Sequence, residues 1–171
     1  MSSRRADIMI DKYFDRPVLY DYCAAAITCG IVFFFFKNYI SFPANNISIS
    51  MSSEISTIAL TLAGFVLTLL TVLITFRTGA KIPNKHNQED LPLFDLFFAT
   101  PLYFKTIDLL KNAIKSLLFI AVLGFVLKLI LRDNNIHYLF FANVSGVVVI
   151  LTTFSRCLLI LTKIVDLQKD K

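Results

Sequence analysis

Four apolar runs, each near the length needed to cross a hydrocarbon core of about 30 Å, divide the chain. The first follows Pro17, a residue suited to the opening turn of a helix. It passes Ala24, Ala25, Ala26 and Gly30 to reach Phe33, Phe34, Phe35 and Phe36, and Lys37 and Tyr39 close it at an interface. Residues 41–53, with Pro43, Asn45, Asn46 and several serines, read as a loop, and the second run over 55–76 stops at Arg77. Polar residues 77–91 form a second loop. Leu93, Phe94, Leu96, Phe97 and Phe98, broken only by Asp95, are too few to span and are expected to lie flat against headgroups. Thr100 and Pro101 have the chemistry of an N-cap and first helical residue, opening a helix that runs to about Leu131 and enters the membrane near Ser116. The last span begins at Tyr138 and passes Arg156, with its helix continuing towards Leu167.

The pattern predicts an all-α membrane protein: a single four-helix transmembrane domain with spans at about 18–40, 55–76, 116–132 and 138–160. A cytoplasmic loop and helix occupy 77–115. Composition agrees, since 56% of the 171 residues are hydrophobic and only 17% are charged, more apolar surface than one soluble domain of this size can bury. Acidic and basic residues before the first run (Arg4, Arg5, Asp7, Asp11, Lys12, Asp15) argue against a cleaved signal, so that span is expected to be retained. Cys23, Cys29 and Cys157 have neither metal-ligand nor disulfide spacing and read as reduced, buried packing residues.

Charge sets the expected orientation. Lys and Arg lie before span one, between spans two and three, or from the inner end of span four at Arg156 onward, with only Lys37, Lys128 and Arg132 elsewhere. The positive-inside rule then places both termini and the central segment in the cytoplasm, in a cell inner membrane. No catalytic constellation, phosphate loop or metal-ligand cluster is legible: His86 and His137 are expected on opposite sides of the bilayer, so neither enzyme activity nor a cofactor is expected. The sequon-like Asn46-Ile47-Ser48 falls in the first outer loop, where it reads as a chance match.

Span two carries the most informative pattern. Thr57, Thr61, Gly64, Thr68, Thr71, Thr75 and Thr78 recur at spacings of four and three along one helix face, and Glu54 extends the stripe outward. One reading is close helix packing, with each hydroxyl bonded to its own backbone and Glu54 favouring the helix dipole. The other is a symmetric homo-oligomer whose conduit is lined by Glu54, Thr57, Thr61, Gly64, Thr68, Thr71 and Thr75. On the inner side, Arg77, Lys105, Lys111, Lys115 and Arg156 form a basic set. It serves either as the positive-inside belt or as a site for an anionic nucleotide, an oligonucleotide or an acidic protein partner. Lys128 reads as snorkelling to the outer headgroups, and Asp21 as paired with a cation whose identity the sequence leaves open.

With this plan and the segment Ile55-Ser56-Thr57-Ile58-Ala59-Leu60-Thr61-Leu62-Ala63-Gly64-Phe65, the chain resembles the small four-span membrane effectors of bacterial anti-phage defence, the membrane components of the Hailong and Kiwa systems. The Hailong resemblance implies an oligomeric channel, controlled by a nucleic-acid-like ligand, that depolarises the infected cell. The Kiwa resemblance implies a non-conducting sensor or scaffold that recruits a cytoplasmic partner.

Overall fold

The computed structural model describes residues 16–39, 43–79, 97–98, 100–131 and 137–169. It is all-α, built on four helices: α1 (Pro17–Tyr39), α2 (Asn45–Gly79), α3 (Pro101–Ile130) and α4 (His137–Lys169). Each is long and apolar enough to cross a bilayer, which makes this a multi-pass membrane protein. Residues 80–96, with Leu93, Phe94, Leu96 and His86, lie outside the described residues, as do residues 1–15 and Arg132.

Side-chain contacts fix the directions of the helices. Arg77 of α2 lies over Tyr103 of α3, while Ser52, nearer the other end of α2, donates to the Gly124 carbonyl, so α2 and α3 are antiparallel. Asn143 of α4 donates to the Ser48 carbonyl at 2.8 Å, and Gly146 packs on Ile55, so α4 runs parallel to α2. α1 is antiparallel to α4, with Asp21 beside Arg156 and Cys29 beside the Phe141 carbonyl. The central core joins Ala59, Ala63, Val66, Ala113, Leu117, Ile120, Ala121 and Val149, from α2, α3 and α4, and α1 adds Ala25.

Two expectations change. α2 begins at Asn45, ten residues before the predicted span, so much of the presumed loop is helix. The reason is that Ser48 and Ser52, polar by composition, are buried: small side chains let α3 and α4 approach, and their polar atoms are met across the interface. The sequon-like triplet therefore sits in the first turn of α2, with Asn46 exposed and Ser48 buried. Phe97 and Phe98 are the second change. They do not lie flat on headgroups but pack with Tyr103, Ile107 and Ile164 in a small aromatic core at the Arg77 end.

Helix α3 follows its prediction closely. Thr100 precedes it in an extended conformation and Pro101 occupies the first turn, but the Thr100 hydroxyl bonds the Phe97 carbonyl instead of capping the helix. α4 continues to Lys169, well past the apolar span.

Candidate conduit face and buried charge pair

The two readings of the Thr stripe differ in what the stripe should touch, and the fold answers part of that question. Glu54, Thr57, Thr61, Gly64, Thr68, Thr71, Thr75 and Thr78 are all exposed. A helix turns about 100° per residue, which puts the stripe about 180° from the buried face formed by Ser48, Ser52, Ala59 and Val66. A Cβ added at Gly64 would meet nothing within 4 Å. The stripe therefore does not pack this bundle. From Thr57 to Thr78 it runs about 31 Å along the axis, the thickness of a hydrocarbon core.

Its hydroxyls are internally bonded. Thr57, Thr61, Thr71 and Thr75 each donate to the carbonyl four residues back at 2.9 Å, Thr68 does so at 3.0 Å, and Thr78 donates to Thr75 at 2.7 Å. With the protons committed inward, each oxygen presents lone pairs and a methyl group outward, a surface of acceptors without donors. Glu54 accepts a long hydrogen bond from Ser50 at 3.4 Å. One residue away, the Lys128 ammonium donates to Ser53 Oγ at 2.8 Å, so this end of the stripe carries both signs of charge. Lys128 is thus tied to α2.

The five cations of the basic set do not form one surface. Arg77 stacks its guanidinium over Tyr103 and Phe104, 4.7 and 4.4 Å from the ring centroids, and so clasps the end of α2 to the start of α3. Lys105, Lys111 and Lys115 are exposed on α3, but Lys105 and Lys111 point about 120° apart around it. Lys111 also lies 3.8 Å from Asp108 in a solvent-exposed pair of small energetic weight. Arg156 is only 1% exposed, and its Nη1 donates to Asp21 Oδ2 at 2.7 Å. Sequence reasoning set Arg156 among cations facing a ligand. The structure instead supplies the partner that Asp21 required.

That pair also lies deeper than expected. Gly146 packs beside Ile55 on parallel helices, so Arg156, ten residues on, is level with about Phe65, and Arg77 lies about 18 Å beyond. The route through α3 agrees: Ser116 donates to the Tyr22 hydroxyl, and thirteen residues, about 20 Å, separate Ser116 from the Tyr103 ring under Arg77. Arg77 and Arg156 do not belong to one belt at one depth.

Elsewhere, an apolar groove of about 140 Å³ separates α2 from α4 at Leu69, Leu73, Cys157 and Leu161, with no charged group to orient a ligand. Among the described residues, no three His, Cys, Asp or Glu side chains converge as a metal site would require. No family model, no curated protein and no solved structure matches this chain.

Proposed function

We propose that the protein is an oligomeric membrane channel in which copies of α2 present the face from Thr57 to Thr75 to a shared conduit, with Glu54 at its outer mouth. The observation that carries this reading is the outward stripe itself. A polar face as long as the bilayer is thick turns away from its own bundle, while α2 buries a separate small-residue face against α3. An acceptor-only wall suits a partly hydrated cation better than an anion, which would need donors. In the finer form of this proposal the channel belongs to anti-phage defence and its opening depolarises the membrane.

The test is cation flux from proteoliposomes combined with cysteine scanning of a cysteine-free protein. A cysteine replacing Thr68 is expected to react with a small charged thiol reagent and block flux, and one replacing Leu67 to do neither. A monomer in detergent with no flux would overturn the proposal. One observation favours a second reading, a non-conducting scaffold or sensor that recruits a cytoplasmic partner: hydroxyls already bonded to their own backbone can face lipid at little cost. In that case Thr68→Val would leave partner recruitment unchanged.

A further inference from the structure

α1 is attached to the bundle differently from the other three helices. Of its side chains up to Phe35, only Pro17, Asp21 and Ala25 are buried, one narrow strip at intervals of four, while Leu19, Ile27, Ile31, Phe33, Phe34 and Phe35 are exposed. It packs chiefly on α4 and touches α3 lightly through Tyr22, which accepts from Ser116 and meets Phe119 edge-on. Lipid is as apolar as these side chains, so burying them against protein instead of lipid supplies little drive for association. The specific polar contacts must decide whether α1 docks. The strongest is the ion pair of Asp21 and Arg156, which is about 1% exposed on both sides and lies well inside the bundle.

We propose that the Asp21–Arg156 pair is a latch that docks α1 onto α4, making α1 a separable helix on a stable unit of α2, α3 and α4. Separating two such charges exposes each to lipid, which strongly favours the closed latch. The two charges are not equivalent once apart. Asp21 lies one turn from the start of α1, so once undocked that helix can slide along its axis to bring the carboxylate to an interface, a movement of about 18 Å from the level of the pair. Arg156 lies in the middle of α4, about 20 Å of helix from its end at Lys169, and has no such escape. The three-helix remainder has its own ties: Ser52 to Gly124, Asn143 to Ser48, and Arg77 over Tyr103. This inference does not depend on conduction by the Thr face.

The test uses native Cys29, whose thiol lies 3.4 Å from the Phe141 carbonyl, together with Ser145→Cys one turn further along α4, in the full chain with Cys23 and Cys157 changed to Ser. Oxidative crosslinking of positions 29 and 145 reports docking. With the pair intact it is expected to approach completion. Asp21→Asn and Arg156→Gln should each lower the yield several-fold, while the protease resistance of α2 and α3 stays unchanged. The exchanged pair, Asp21→Arg with Arg156→Asp, should restore the crosslink. Full crosslinking in the single variants would overturn the latch. So would failure of the exchanged pair to crosslink in protein that inserts and resists protease normally. If the single variants do not accumulate, recovery of both accumulation and crosslinking in the exchanged pair supports the proposal, and recovery of accumulation without crosslinking overturns it.

Discussion

The two faces of α2 use similar small residues for opposite purposes. On one, Ser48, Ser52, Ser56, Ala59 and Ala63 are buried, and the hydroxyl of Ser52 crosses to the Gly124 carbonyl. On the other, the threonines are exposed and turn their hydroxyls back onto their own helix. The glycines sharpen the contrast. A Cβ at Gly124 would collide with Ser56 Oγ and sit 3.4 Å from Ser52 Oγ, whereas one at Gly64 would enter open space. Smallness on the first face permits helices to touch, and on the second it leaves a surface unfilled. A small-xxx-small pattern alone does not say which.

Four substitutions test this contrast, taken from the largest expected effect to the smallest. Gly124→Ala should destabilise the bundle by about 1–3 kcal/mol, because the methyl group and Ser56 Oγ claim one space. Unfolding in mixed detergent measures it, and a neutral result would mean that the Ser56 hydroxyl turns away without cost. Adding Ser56→Ala should recover part of that loss. The Ser56 hydroxyl is buried with no hydrogen bond, so the two changes should couple by roughly 0.5 kcal/mol or more in a double-mutant cycle. Strict additivity would separate the two sites.

Ser52→Ala removes an interhelical bond and should cost about 0.6 kcal/mol, near the mean for such bonds in membrane proteins. Thr68→Val removes only a bond within α2, so the stability of the single chain should move by less than about 0.5 kcal/mol. If a conduit forms on this face, flux should fall nonetheless. A loss of stability at Thr68 as large as that at Ser52 would erase the distinction between the faces.

Much of this architecture is legible in the sequence. Apolar run length predicts four helices, Pro101 marks the start of α3, and the spacing of the threonines is visible at sight. The direction in which that stripe points was not legible, because helical periodicity relates residues on one helix and says nothing about which neighbour faces them. The start of α2 is missed for a related reason: serines score as polar, yet Ser48, Ser52 and Ser56 continue at spacings of four and three into Ala59 and Ala63, a signal of close helix approach that hydropathy does not weigh. Asp21 and Arg156 offered a signal as well. A lone carboxylate near the start of the first apolar run and a lone guanidinium within the last are natural mates in hydrocarbon. Sorting cations by their expected side of the bilayer hides that pairing, and the burial of Arg156 against Asp21 shows it to be an interior residue.

The separation of 135 residues between Asp21 and Arg156 carries a consequence for biosynthesis. Ribosomes add about 5–20 residues per second, so α1 precedes its mate by on the order of ten seconds. During that interval the carboxylate has no Arg156 to meet. Its place one turn from the beginning of α1 lets it wait among headgroups or in the aqueous flank of the insertion machinery. A carboxylate placed mid-helix at Gly30 would have no such refuge, so the nascent chain tolerates an acid in its first span because of where along the helix that acid falls.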